Sequence, residues 1–140
     1  MTPRRTQTRL RRLIDLALWL LTTVLAAVTL AFSFGFSPPA GEAFIWADKF
    51  GHGLMYFATF FCFLLAAVWR PGRGDGPLPE SGLYLAVAFV AAGLVVELLQ
   101  EVTTVDRHAQ LGDVLSEIIG AFGALAIHSW MQRRWGSSPG

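Results

Sequence analysis

The sequence predicts an all-α, polytopic membrane protein, a four-helix transmembrane bundle with both termini in the cytoplasm. Three observations carry that reading. Of the 140 residues, 54% are hydrophobic and only 15% charged, with a mean hydropathy of +0.49, whereas a soluble domain keeps roughly a quarter of its residues charged. Apolar stretches of membrane-crossing length recur four times along the chain. Basic residues gather on alternate sides of those stretches. The same composition excludes a disordered, coiled-coil or collagen-like chain, and the single cysteine, Cys62, excludes a disulfide scaffold or a zinc knuckle.

Residues 1–12 read as a cytoplasmic basic N-terminus, and residues 13–36 as transmembrane helix 1. Within it Leu16 to Phe36 carries no charge, which at about 1.5 Å per residue spans a hydrocarbon core about 30 Å thick. A cleaved signal peptide is the competing reading, but its apolar core would be only about 7–15 residues long. The Ala31-Phe32-Ser33 triplet is a weak cleavage signal. Residues 37–132 hold transmembrane helices 2–4, at about 49–69, 82–102 and 113–132. The second helix stops at a Pro- and Gly-rich loop from Arg70 to Pro77, which cannot continue a helix. The third and fourth carry acids near one end, so their hydropathy signal is weaker. If they cross, they are helices, because lipid offers no partner to an open backbone. Residues 133–140 read as a cytoplasmic tail.

Basic residues stay on the cytoplasmic side. Arg4, Arg5, Arg9, Arg11, Arg12, Arg70, Arg73, Arg133 and Arg134 fall on one side of the four spans, Lys49 and Arg107 on the other. Most acids lie opposite the arginines: Glu42, Asp48, Glu97, Glu101, Asp106, Asp113 and Glu117.

This orientation brings four separated pieces of sequence to the outer membrane face. Asp48, His52 and Tyr56 recur every four residues and share a helical face with one another, as do Asp113 and Glu117. Glu97 shares a face with Gln100 and Glu101. A charge at the centre of a transmembrane helix costs about 2.5–3.5 kcal/mol on insertion scales, so such groups turn toward the bundle or a watery cavity. The candidate polar cluster is therefore Asp48, Lys49, His52, Tyr56, Glu97, Gln100, Arg107, Asp113 and Glu117. A structural ion network that locks the helices together is the plain alternative. The excess of acids over bases favours a functional site.

Other features read as packing. Ser116, Gly120 and Ala124 recur every four residues, as do Ala27, Ala31 and Gly35, and small residues at this spacing let helices approach closely. Cys62 reads as an inert buried thiol and His128 as an interfacial side chain. Trp46, Trp69, Trp130 and Trp135 fall near span ends, where indoles prefer to sit.

From Asp48 to about Ala126 the chain resembles the VanZ-like integral membrane proteins, a family named for a protein of teicoplanin resistance. The resemblance rests on Asp48, Lys49, His52 and Tyr56 at the start of one helix, Glu97 and Gln100 at the end of another, Arg107 in the loop, and Asp113 and Gly120 in the last helix. Glu117 stands where the family has Asn, which changes the charge of the site. The resemblance implies four helices and a role in the cell envelope, including altered sensitivity to lipoglycopeptides, without implying a reaction.

Two functions compete. One is a non-enzymatic envelope protein that alters the access of a lipoglycopeptide or other lipid-bearing ligand to the outer leaflet. The other is a membrane hydrolase or transferase for a lipid-linked substrate, with His52 or Glu97 as general base, Asp48 orienting His52, and Arg107 holding a phosphate or carboxylate. No nucleophile elbow or H-E-x-x-H motif is present, so no catalytic residue is assigned. A third reading makes His52, Glu97, Asp113 and Glu117 ligands of a divalent ion, but the spacing assigns no metal and no cofactor. The expected partners are the lipid bilayer and a lipid-bearing ligand, not nucleic acid. Oligomeric state is left open.

Overall fold

In a computed structural model, residues 3–35, 42–67, 80–103 and 111–135 are described, and every one of them is helical. The elements are α1 (Pro3–Gly35), α2 (Glu42–Ala67), α3 (Glu80–Thr103) and α4 (Leu111–Trp135). Each contains a stretch long and apolar enough to cross a membrane: Arg9–Phe34, Ala47–Ala67, Ser81–Thr103 and Leu111–Arg134. The chain is an all-α, multi-pass membrane protein.

Two helices start well before their apolar stretches. α1 begins at Pro3, ahead of the expected residue 13, and α2 at Glu42, ahead of residue 49. Proline suits the first position of a helix, where its missing N–H has no partner to lose, and the Arg-, Gln- and Leu-rich segment after it contains no breaker. Helix propensity thus extends α1 beyond the hydrophobic run by which a span is recognised. The Arg70 to Pro77 loop, Trp69 and Arg107 lie outside the described residues.

α2 lies at the centre of the bundle. It packs most extensively on α4, with α1 on its flank, while α3 rests mainly on α4. The tight contact between α2 and α4 has a steric origin. A Cβ on Gly53 would stand 3.2 Å from the Ser116 carbonyl oxygen, and one on Gly120 would run into the Gly53 carbonyl and stand 3.0 Å from the Phe57 nitrogen. All of these obstacles are backbone, so only glycine fits at 120, while at 53 a larger residue would push the helices apart by a few tenths of an ångström. Ser116 and Gly120 thus meet α2, and Ala124 is fully buried one turn further on.

The small residues of α1 do not play the corresponding part. Ala27 and Ala31 are exposed, and the face of α1 turned to the bundle is instead Thr22, Thr29 and Ser33. These side chains are nearly as compact as alanine, and hydroxyls can bond the helix's own carbonyls. Thr22 donates to Leu18 and Thr29 to Leu25, each at 2.8 Å. The Thr29 hydroxyl also meets Thr59 of α2 at 3.2 Å, a pairing unavailable to the alanine face. An interhelical hydrogen bond adds to close approach as a reason to turn this face toward α2.

In the half of the bundle away from the acids, Phe60, Leu64, Ala86, Ala121 and Ala124 form the core. Phe60 stacks on Phe89 with ring centroids 4.9 Å apart, and Phe57 on Phe61 at 5.6 Å. Large apolar side chains such as Leu16, Leu20, Val95 and Ile119 point outward, as lipid-facing residues do.

Candidate functional site

The buried stripe of α3 runs Gly82, Ala86, Gly93, Glu97, Gln100, and that of α4 runs Asp113, Glu117, Gly120, Ala121, Ala124, His128. The acids therefore continue the same faces that carry the apolar core. A helix committed to the bundle at Ala86 or Ala124 has no freedom to turn Glu97 or Glu117 outward, since all lie on one side of one rigid rod. On α2 the spacing of Asp48, His52 and Tyr56 does the same.

These side chains converge where α2 and α4 begin and α3 ends. Counted from the ends of the spans, His52, Glu97 and Glu117 lie five or six residues in, which is about 8–9 Å at 1.5 Å per residue. Glu97 and Glu117 are only 2% and 1% exposed. Asp113 sits in the first turn of α4, where the helix dipole favours a negative charge.

Lys49 forms an ion pair and hydrogen bond with Asp113 across the α2–α4 contact, and its ammonium is also 3.8 Å from Asp48. Its aliphatic stem lies over Gly112, where an added Cβ would meet the Lys49 Cε at 3.0 Å. Asp48 is 3.9 Å from the Nε2 of His52. A second layer lies deeper. One donor atom each from His52, Glu97 and Glu117 falls within 4.8 Å of the others, and the Tyr56 hydroxyl hydrogen-bonds the Glu117 carboxylate. The Tyr56 ring is fixed edge-on against Phe89, 5.5 Å between centroids. Oε2 of Glu117 is buried and has no hydrogen-bond partner among the described residues.

The structure thus brings together Asp48, Lys49, His52, Tyr56, Glu97, Asp113 and Glu117. Gln100 is drawn away. Its side-chain amide donates to the carbonyl of Ser33, one of the last four carbonyls of α1, which have no partner inside their own helix. Gln100 therefore caps α1 and ties it to α3. Glu101, expected to share a face with Glu97, is exposed, because one residue past Gln100 the helix has turned by a further 100° or so. Arg107 lies outside the described residues.

One contributor to the site escaped the sequence reading. Gly93 faces the deep layer, where a Cβ would stand 2.8 Å from the Tyr56 hydroxyl and collide with the Glu117 carboxylate. A glycine in an apolar helix carries no local sign of that role. Towards the other end of α4, His128 is 2% exposed with its Nε2 unpartnered among the described residues, so its side chain turns into the bundle. Its place on the stripe of Glu117 and Ala124 was the available signal. Cys62 is half-buried rather than enclosed.

The chain matches no protein-family pattern, no characterised protein and no solved structure.

Proposed function

We propose that this chain is a VanZ-like protein of the cell membrane, with both termini cytoplasmic, whose polar pocket opens toward the outer leaflet and receives the polar part of a lipid-bearing molecule. One observation carries the reading: seven ionisable or hydroxyl-bearing side chains, Asp48, Lys49, His52, Tyr56, Glu97, Asp113 and Glu117, come from three helices to one end of the bundle. Packing alone would be served by apolar residues at these positions, and charges inside a membrane are costly enough that they mark sites of function. The site has acceptors and a cation to bind a polar head, while the lipid-facing helices leave the hydrocarbon part of such a ligand in the bilayer. Excess Lys and Arg at the opposite ends of the spans support the outward orientation. Lowered sensitivity to lipoglycopeptides follows as the family role.

Teicoplanin susceptibility in a sensitive host tests this with wild type, Glu97→Gln and Asp113→Asn at matched membrane levels. The expected result is protection by wild type and its loss in both variants. Absence of protection by wild type would remove the resistance role, and equal protection by all three would remove the pocket from it.

A second reading is a hydrolase or transferase acting on a lipid-linked substrate. The position of His52, beside Asp48 and within reach of Glu97 and Glu117, favours it, since an imidazole among carboxylates is suited to general base chemistry. Turnover of a labelled prenyl phosphate by the purified protein, abolished in His52→Gln, would establish this reading.

A further inference from the structure

We infer that His52, Glu97 and Glu117 form a binding site for one transition-metal dication, Zn2+ or Mn2+, in the deep layer of the polar pocket. Among the described residues, two groups of three potential ligands come close enough to share an ion: Asp48, His52 and Asp113, and His52, Glu97 and Glu117. The first already has its cation. Lys49 is paired with Asp113 and lies 3.8 Å from Asp48, so its ammonium occupies the place a metal would take.

The geometry of the second group fits an ion. Around Zn2+, ligand distances of about 2.0–2.2 Å place neighbouring donors of one shell about 3–4 Å apart. The three donor atoms here lie within 4.8 Å of one another, so a contraction of about 1 Å, within the reach of side-chain rotation, closes them on an ion. An independent observation points the same way. Glu117 is 1% exposed, and its Oε2 lacks a hydrogen-bond partner among the described residues. A buried carboxylate oxygen without a partner is an unusual expense for a folded protein and calls for an explanation such as an ion. Coordination supplies one.

The surroundings resemble the outer shell of a metal site. Tyr56 hydrogen-bonds Glu117 and is itself locked against Phe89, which fixes the direction of the carboxylate. Asp48 stands 3.9 Å from the Nε2 of His52, beyond hydrogen-bond length, so it adds negative charge beside the imidazole without fixing the ring. Gly93 keeps the space beside Glu117 and Tyr56 clear. The donor set selects the class of ion. Two carboxylates and a neutral imidazole offset the charge of one dication; the imidazole favours Zn2+ and the carboxylates also suit Mn2+, whereas Ca2+ and Mg2+ prefer oxygen ligands throughout. Three protein ligands leave coordination positions open, as at sites where a metal meets a second molecule.

The inference goes beyond the envelope role and is tested without any lipid-linked ligand or antibiotic, so failure of either leaves the other standing. Untagged full-length protein in lipid nanodiscs is stripped with a chelator, then titrated separately with Zn2+, Mn2+ and Ca2+ by calorimetry, with bound metal counted by mass spectrometry. Wild type should take up one Zn2+ or Mn2+ per chain. Glu117→Gln should weaken that binding by at least about tenfold, while Glu101→Gln, on the exposed side of α3, should bind as wild type does. If Glu117→Gln does not fold, as judged by circular dichroism and monodispersity, His52→Gln carries the same expectation. The proposal is overturned if folded wild type binds neither metal saturably, if Glu117→Gln binds as tightly as wild type, or if Ca2+ binds equally well.

Discussion

The two halves of this bundle are built on the same helix faces and do opposite things. Away from the acids, α2, α3 and α4 meet through Phe60, Phe89, Ala86, Ala121 and Ala124, a dry contact of stacked rings and small residues. At the acidic end the same stripes present His52, Glu97, Asp113 and Glu117 to one another. In lipid there is little hydrophobic gain from joining helices, so the aromatic half holds the bundle together by van der Waals contact and close approach. That rigid half fixes the rotation of each helix, and the rotation forces the ionisable groups inward. The apolar half therefore provides stability, while the polar half is a site whose cost it offsets.

The comparison breaks most sharply at the α2–α4 crossing. Gly120→Val would drive side-chain atoms into the Gly53 carbonyl and the Phe57 nitrogen, and neither backbone group can yield locally. We expect loss of at least the roughly 1–3 kcal/mol typical of overpacking, seen as a fall in the midpoint of unfolding in mixed micelles and a poor yield of monodisperse protein. Phe60→Ala should come next. Such truncations cost about 3–5 kcal/mol in soluble cores, but lipid replaces water as the reference here and only lost packing counts. The expected loss is thus below that range, and metal binding, measured by the titration above, should be unchanged because Phe60 lies outside the polar half.

Gly93→Ala sharpens the comparison from the other side. The added methyl must push Tyr56 or Glu117 aside, so we expect metal affinity to drop about tenfold, as for other disturbed outer-shell partners, with a smaller change in unfolding midpoint than Phe60→Ala. Gln100→Ala removes the bond to the Ser33 carbonyl at the end of α1. Interhelical hydrogen bonds in membranes average about 0.6 kcal/mol, and a destabilisation of that size, read by the same unfolding assay, is expected. Glu117→Gln should have the smallest effect on stability of all, or raise it, since an amide is less costly to bury than a carboxylate. A large loss of stability in metal-free Glu117→Gln would mean that Glu117 is structural and the two halves are not distinct.

Much of the site was legible in the sequence because helical periodicity is a local property. The i, i+4 spacing of Asp48, His52 and Tyr56, and of Asp113 and Glu117, places them on common faces in any helix. The spacing of Glu97, Gln100 and Glu101 was less informative. Three residues so close together cover a wide arc, and only the packing of α3 on α4 and the reach of Gln100 to α1 separate the buried Glu97 from the exposed Glu101. The small-residue pattern also had two outcomes. Gly120 and Ser116 meet a partner glycine, Gly53, whereas Ala27 and Ala31 face outward because the hydroxyl face two positions away finds Thr59.

By itself the sequence determined that this chain forms four apolar helices, and that its acids gather toward one end of three of them, since hydropathy and helical period need no knowledge of neighbours. The tertiary structure alone decided which acids pair. Lys49 goes to Asp113, Tyr56 to Glu117, and Glu97 joins His52 and Glu117. Those choices depend on the rotation and separation of helices whose paired residues are 20 to 64 positions apart in the chain, and these are set by where backbones can approach, at Gly53, Gly93 and Gly120.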